Sequence, residues 1–174
     1  MLEGKGMILV TAGSGHQGQL LIPKLAAAGL RVRTTTSSPS RRDALHRLGA
    51  AEVVGGDIRD PAIYAQAVEG VDTLYHIGPA GLKGERELGF AMIEAARRAG
   101  VRHVVLSSVY FTEIDIIQHL YKRDIEVALI ESGLPFTILK PCDFMVPEVY
   151  VDAVIALGGF PVFTPSRIPK RHSL

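Results

Sequence analysis

Cysteine and tryptophan are almost missing from this chain: among its 174 residues there is one cysteine, Cys142, and no tryptophan. A single cysteine excludes an internal disulfide and is typical of a reducing compartment. Lysine and arginine number 19 against 18 aspartates and glutamates, so the net charge of +1 creates no strong field for nucleic acid or anionic lipid. No stretch approaches the ~20 apolar residues of a membrane span, and the start lacks a signal peptide. We therefore expect a soluble, cytoplasmic protein that binds neither nucleic acid nor membrane.

Metal and nucleophile motifs are missing as well. The six histidines and the single cysteine show no metal-ligand spacing, so no metal site is expected. No G-x-S-x-G elbow occurs, which argues against a serine hydrolase of that type. The length suits one domain with a sizeable core.

A glycine-rich turn near the start is the strongest local signal. Residues 7–11 are an apolar, partly β-branched run that predicts a buried strand. Glycines follow at positions 13, 15 and 18, in the order G-x-G-x-x-G, and a helix is predicted after them. Gly13 permits a tight turn, Gly15 lets a pyrophosphate approach the backbone, and Gly18 allows close helix packing. Such a turn also occurs without a ligand, but the strand before it favours a dinucleotide site.

Strands and helices alternate along the rest of the chain. Five further strands are predicted at residues 31–36, 51–54, 71–77, 103–109 and 136–140. Helices are predicted between them at residues 41–48, 61–68, 85–99 and 116–131, with Asp60 as a helix N-cap. This alternation predicts a Rossmann-type fold, a doubly wound parallel sheet in three α/β/α layers.

The region after the second strand bears on the choice of nucleotide. NAD-binding folds usually place a carboxylate about 20 residues after the glycines, but no Asp or Glu occurs between Gly18 and Asp43. Hydroxyl and guanidinium groups, which suit a 2′-phosphate, stand there instead. We therefore expect NADP as the cofactor, with NADPH preferred over NADH. The alternative is that the arginines are only the solvated first turn of a helix. The residues concerned are Thr36, Ser37, Ser38, Arg41 and Arg42.

Several motifs along the chain together carry a family resemblance. They are the glycine loop at 13–18, Gly-Asp-Ile-Arg-Asp-Pro at 56–61, Val-Asp-Thr-Leu-Tyr-His-Ile-Gly-Pro at 71–79, Val-Val-Leu-Ser-Ser-Val at 104–109 and Glu-Ser-Gly-Leu-Pro-Phe-Thr-Ile-Leu-Lys-Pro at 131–141. In this order and spacing the set resembles the NmrA-like branch of the atypical short-chain dehydrogenases/reductases over residues 7–145. The resemblance implies an NAD(P)-binding domain. Members include NADPH-dependent quinone and isoflavonoid-type reductases, and regulators that bind the cofactor without catalysis.

The resemblance also implies roles for individual residues. The pyrophosphate would be held by Gly13, Ser14, Gly15, His16, Gln17 and Gly18. The adenine would face Asp57 and Ile58, and the cofactor would be lined after the fourth strand by Ile77, Gly78 and Pro79. The nicotinamide would lie near Ser107 and Ser108, with Lys122 as the catalytic residue. As alternatives, Asp57 is a surface turn residue and Lys122 is a solvated lysine.

One departure from the wider superfamily weakens the catalytic expectation. The Tyr-x-x-x-Lys pair of short-chain dehydrogenases is missing, since Gln118 stands four residues before Lys122. His119 shares the helix face of Lys122 and is either a proton donor or merely exposed, whereas His76 and His103 are expected to be structural. Two functions stay open: an NADPH-dependent oxidoreductase acting on a small carbonyl or quinone, and a non-catalytic NADP(H)-binding redox sensor or regulatory module.

The C-terminal part departs from the family pattern too. We expect a Rossmann domain over residues 1–145 and a remnant of the substrate-side region over residues 146–174. Relatives usually add a smaller lobe over the substrate cleft, and here this lobe is largely missing, by truncation or as a naturally short form. An open cleft predicts turnover that is slow or absent, with cofactor binding retained. The sequence leaves the oligomeric state open, a homodimer included.

Overall fold

The computed structural model describes residues 6–79 and 84–142. The predicted C-terminal remnant and residues 80–83 lie outside this part of the chain. Six parallel strands form one sheet in the order β3-β2-β1-β4-β5-β6. The sheet therefore grows outwards in two directions from β1, which is the strand order of a doubly wound nucleotide-binding fold. The strands are β1 (Met7–Val10), β2 (Arg31–Thr36), β3 (Glu52–Gly55), β4 (Val71–Ile77), β5 (His103–Ser107) and β6 (Phe136–Leu139).

Five α-helices connect these strands. They are α1 (His16–Ala27), α2 (Arg42–Arg47), α3 (Pro61–Val68), α4 (Glu85–Ala99) and α5 (Ile117–Glu131). Local sequence explains several of their ends. The Asp60 side chain accepts a hydrogen bond from the Ala62 amide at the start of α3, and α4 ends at Gly100, whose φ of 70° suits glycine best.

The helices cover both faces of the sheet, with a separate core on each side. One core joins the sheet to α3, α4 and α5 and includes Leu9, Leu74, Leu106, Met92 and Leu129. The other joins it to α1 and α2 and includes Val10, Ile22, Val32, Leu45 and Ala50. Consecutive residues Leu9 and Val10 thus face opposite cores, as the alternation of a strand requires. The three-layer α/β/α arrangement predicted from the sequence is confirmed.

Several predicted bounds differ from the structure by one residue, and three differences are larger. The first helix begins at His16 rather than after the glycines, so that Gly18 lies inside α1. The predicted helix at 41–48 divides into a 3₁₀ turn, Pro39–Arg41, and α2, because the Arg41 amide bonds to the Ser38 carbonyl. The fifth strand ends at Ser107 rather than at residue 109. No helix in the described ranges is long and apolar enough to cross a membrane.

Candidate cofactor and substrate site

The glycine loop begins where β1 ends, at the point where the strand order reverses. Thr11 joins this loop to the end of β4: its hydroxyl donates to the Ile77 carbonyl at 3.0 Å and accepts from the Ile77 amide at 2.7 Å. On the other side, the amide of Ala12 donates to the Thr35 hydroxyl at 3.0 Å. The loop is therefore fixed to both neighbouring strands, beside the crevice in which open α/β sheets bind ligands.

The three motif glycines meet different surroundings. A Cβ on Gly18 would lie 2.5 Å from the Cα of Gly13, and a Cβ on Gly13 would lie 2.0 Å from the Thr34 hydroxyl oxygen. These two glycines are required by packing within the chain. A Cβ on Gly15 would meet only the Ala12 carbonyl oxygen, at 3.1 Å, and Gly15 is exposed. The open space above Gly15, at the start of α1, therefore fits a pyrophosphate group.

A first cavity, here called the glycine-loop cavity, opens between the ends of β1, β2 and β3. Its wall includes Ser14, Gly15, Ser37, Ile58 and Pro79. Asp57 and Arg59 also line it, and the Arg59 guanidinium donates to both carboxylate oxygens of Asp57. Hydrogen bonding to this guanidinium lowers the pKa of Asp57 to about 2. Asp57 is thus a charged, half-exposed wall residue.

The arginines expected to select NADP lie elsewhere. Arg42 donates from Nη2 to the Val53 carbonyl at 2.9 Å, and Arg41, at the end of the 3₁₀ turn, is exposed. Neither belongs to the cavity wall, whereas Arg59 does. Within the described part of the chain, the basic side chain in this cavity wall therefore comes from the loop after β3, which the sequence interpretation did not use.

A second cavity, here called the serine–lysine cavity, has a volume of about 420 Å³ and opens between the ends of β4 and β5 and the start of α5. His16 and Gln17 of the glycine loop form one side of it, so that the two cavities adjoin. Gln17 donates from Nε2 to the Ser107 hydroxyl at 3.0 Å, which joins the loop to the end of β5. The remaining wall comprises Ile77, Gly78, Glu85, Ser107, Ser108, Val109, Gln118, His119, Lys122, Pro141 and Cys142.

Lys122 is buried in the wall of this cavity, with 7 % of its surface exposed. Its Nζ lies 2.9 Å from Glu85 Oε1 and donates to the Ser107 carbonyl at 3.2 Å. An ammonium has three N–H donors, so one remains after these two contacts. The alternative of a solvated lysine is wrong, because α5 turns this side chain inwards against a buried carboxylate.

Close packing of α4 on α5 explains this ion pair. A Cβ on Gly89 would lie 2.4 Å from Ile125 Cγ1, so the two helices approach closely at that point. Glu85 lies one turn before Gly89, and Lys122 lies almost one turn before Ile125. Their side chains therefore meet at the carboxyl end of the sheet. The sequence interpretation missed Glu85, which looks like an ordinary acidic residue in a first helical turn.

His76 lies behind Lys122 and is structural, as expected. It is 1 % exposed, and its Nδ1 lies 3.2 Å from the Tyr64 hydroxyl. Burial, together with the Lys122 charge, lowers the pKa of His76 to about 3. A Cβ on Gly78 would lie 3.2 Å from Lys122 Nζ and 3.5 Å from His76 Nε2. Glycine at this position therefore leaves the Lys122 ammonium uncovered on the cavity side.

The structure thus places most of the predicted site residues in two adjoining groups. Lys122, His16, Gln17, Ile77, Gly78 and Ser107 line the serine–lysine cavity, and Ser14, Gly15, Ser37, Asp57, Ile58 and Pro79 line the glycine-loop cavity. Gly13 and Gly18 pack beneath the loop, and Arg41 lies apart. His119 lines the serine–lysine cavity and is half-buried, with its Nδ1 2.8 Å from the Phe111 carbonyl oxygen.

Strand order and glycine loop define a Rossmann-type α/β domain. Residues 4–164 match the NmrA-like family, and the chain belongs to that family. The resemblance drawn from the motifs is confirmed.

Three similar proteins are reductases, and the matched part of this chain covers about half of each. An NAD(P)H azoreductase from Xenophilus azovorans is 29% identical over 159 residues, which cover 88% of this chain and 54% of the relative. Triphenylmethane reductase from Citrobacter sp., solved with NADP(H), superposes with a TM-score of 0.74 at 22% identity, covering 87% of this chain and 55% of that one. An NADPH-dependent quinone oxidoreductase from Escherichia coli, solved with NADPH, superposes with a TM-score of 0.72 at 22% identity, covering 86% of this chain and 53% of that one. The chain spans about half the length of these proteins.

Proposed function

We propose that this chain is the cofactor-binding part of an NADPH-dependent oxidoreductase that reduces a small carbonyl or quinone compound. The observation that carries the proposal is the buried ammonium of Lys122 in the wall of the serine–lysine cavity, next to the glycine loop. NADPH- and NAD(P)H-dependent reductases among the relatives and fold neighbours support the reaction class.

The residues present fit a dinucleotide. Gly15 leaves space above the start of α1, where unpaired backbone N–H groups favour a pyrophosphate. Ser14, Ser37 and Arg59 would hold the adenosine half in the glycine-loop cavity, and Ser107 and Gly78 would line the nicotinamide half. When bound, the cofactor supplies the hydride.

Lys122 contributes charge at the site of reduction. Glu85 and the Ser107 carbonyl fix its Nζ, and its third N–H can donate to an acceptor oxygen in the cavity. Negative charge develops on that oxygen as a carbonyl is reduced, and a preorganised cation stabilises it. Burial strengthens the interaction, because little water competes.

One observation favours a second function, a non-catalytic NADP(H)-binding sensor. Gln118 stands in the cavity wall, one helical turn before Lys122, where the wider superfamily has its catalytic tyrosine. An amide side chain does not supply a proton as a phenol does.

The experiment that separates the two functions pairs binding with turnover. NADPH and NADH are titrated calorimetrically, and NADPH oxidation is then followed with a panel of quinones and aromatic aldehydes. We expect NADPH binding with measurable turnover of at least one compound. Binding with no turnover across the panel would favour the sensor, and no binding of either nucleotide would contradict both functions.

A further inference from the structure

A second group of buried charges lies beside the serine–lysine cavity, and the proposed reaction does not use it. Glu126 is 6 % exposed and receives hydrogen bonds or ion pairs from three side chains. The Ser108 hydroxyl donates to its Oε1, Lys140 Nζ lies 2.9 Å from its Oε2, and the Thr112 hydroxyl donates to Oε2 at 3.5 Å. Lys140 also donates to the Thr112 hydroxyl at 3.2 Å.

This arrangement decides how Ser108 can act in the cavity wall. A serine hydroxyl has one proton to donate and two lone pairs to accept with. The single proton of Ser108 is engaged by the buried carboxylate of Glu126, which also pairs with Lys140. Charge-assisted bonds of this kind are roughly twice as strong as neutral ones, so the hydroxyl proton stays directed at Glu126 and the oxygen lone pairs remain as acceptors. Ser108, itself 6 % exposed, lines the cavity with acceptor capacity only.

Lys122 offers the same cavity a hydrogen-bond donor, whereas Ser108 offers it an acceptor. Its ammonium is donor-only, whereas Ser108 is held as an acceptor. A molecule that uses both groups needs an acceptor oxygen for Lys122 and an O–H or N–H for Ser108.

We infer that Ser108, oriented by Glu126, is a specificity-determining residue that selects substrates carrying a hydroxyl or N–H group in addition to the reducible carbonyl. The inference rests on the proposed function, since it concerns the substrate cavity of that site. It adds a substrate class, hydroxylated or N–H-bearing carbonyl compounds, and it makes Glu126 a positioning residue acting through Ser108.

The test compares matched ligand pairs by binding rather than turnover. The probes are 3- and 4-(hydroxymethyl)benzaldehyde and their methyl ethers, each titrated calorimetrically into the full chain saturated with NADP⁺. Each ether keeps the carbonyl and replaces the donor hydrogen with a methyl group, and Ser108→Ala separates the loss of the donor from the added bulk. We expect at least one hydroxymethyl compound to bind about fivefold more tightly than its ether, since a net hydrogen bond contributes on the order of 1 kcal/mol.

Variants identify the residue responsible. Ser108→Ala should bring the ratio of the two dissociation constants to about one, while Glu126 keeps Lys140 and Thr112 as partners and the fold persists. Glu126→Gln should make the ether bind more tightly relative to the hydroxymethyl compound. The reason is that an amide N–H donating to Ser108 frees the hydroxyl proton to turn into the cavity. Lys140→Met leaves the Ser108–Glu126 bond in place and should retain a preference for the hydroxyl compound.

Three outcomes would overturn the inference. They are equal binding of hydroxyl and ether compounds by the unaltered chain, an unchanged ratio in Ser108→Ala, and no aldehyde binding at all. Failure of the proposed function shows itself differently, as missing NADPH binding or missing turnover in the panel described above.

Discussion

Lys122 and Glu126 lie one turn apart on α5, carry opposite charges and are both buried, yet each pairs with a different element. Lys122 reaches Glu85 on α4, and Glu126 reaches Lys140 just after β6. Their contacts with the end of β5 follow the same division, since Lys122 bonds to Ser107 and Glu126 to Ser108. Through these contacts α5 fixes two groups in the wall of one cavity: its own Lys122 ammonium, and the Ser108 hydroxyl, which is bound by Glu126. Removing one partner of such a buried pair is costly, so the arrangement resists rotation of α5.

Replacing Lys122 with methionine tests its proposed role. The side chain keeps its length and loses the ammonium that stabilises developing negative charge. We expect kcat/KM to fall at least about tenfold, or about 1.4 kcal/mol, with the chain still folded by circular dichroism. The control is Lys24→Met, which removes an exposed lysine on α1. Unchanged turnover in Lys122→Met would remove Lys122 from the site.

Short-range signals in the sequence predicted most of the fold. The bounds of α4 and β4 coincide with the structure, because an amphipathic repeat ending at Gly100 and a β-branched run after Gly70 are local features. The structure of residues 39–47 was harder to predict, because the 3₁₀ turn Pro39–Arg41 has no regular spacing of apolar residues.

The site was predictable only where its residues follow one another in the sequence. The glycine loop was visible as a motif, whereas the pairing of Lys122 with Glu85 joins residues 37 positions apart and depends on how closely α4 packs on α5. Arg59 was overlooked in the same way. The sequence places it next to a turn, and only the fold brings that turn beside Ser14 and Ser37.

His76 predicts a loss of stability in mild acid. The pKa of His76 is near 3 in the folded chain and near 6.5 when unfolded. The unfolded state therefore binds the extra proton between these values, and stability falls as pH decreases from 6.5 towards 3. From this residue the loss approaches about 1.4 kcal/mol per pH unit. Urea unfolding at pH 7.5, 5.5 and 4.5 measures it.

A matched pair of variants isolates the contribution of His76. His76→Gln should reduce the fall in unfolding free energy between pH 7.5 and 4.5, although it lowers stability at pH 7.5. Replacing the exposed His16 with glutamine should leave that fall unchanged. If His76→Gln keeps the full slope, other groups cause the acid sensitivity.

Arg59 is expected to contribute to nucleotide choice. It is the basic residue in the wall of the glycine-loop cavity, and a charge-assisted bond to a 2′-phosphate contributes roughly 1.5–3 kcal/mol. Arg59→Gln should therefore weaken NADPH binding about tenfold or more and change NADH binding little. The double variant Arg41→Gln with Arg42→Gln tests the original expectation from the sequence. Equal losses for NADPH and NADH in calorimetric titration would contradict a role in 2′-phosphate binding for whichever arginines were changed.

Gly15 and Gly18 should respond in opposite ways to substitution. Gly15→Val adds a side chain in the exposed space proposed for the pyrophosphate, where the chain itself offers only the Ala12 carbonyl oxygen at 3.1 Å. The φ of −78° at this position is acceptable for valine, so the fold should persist while NADPH binding is lost. Gly18→Val places a Cβ 2.5 Å from Gly13 Cα. The atoms that this Cβ would meet belong to the backbone of Ala12 and Gly13 and cannot turn aside. Helix α1 must therefore move away from β1, and such overpacking costs roughly 1–3 kcal/mol or more. Thermal unfolding and NADPH fluorescence titration, run on both variants, separate the two effects. Wild-type affinity in a folded Gly15→Val protein would show that the loop is only a structural turn.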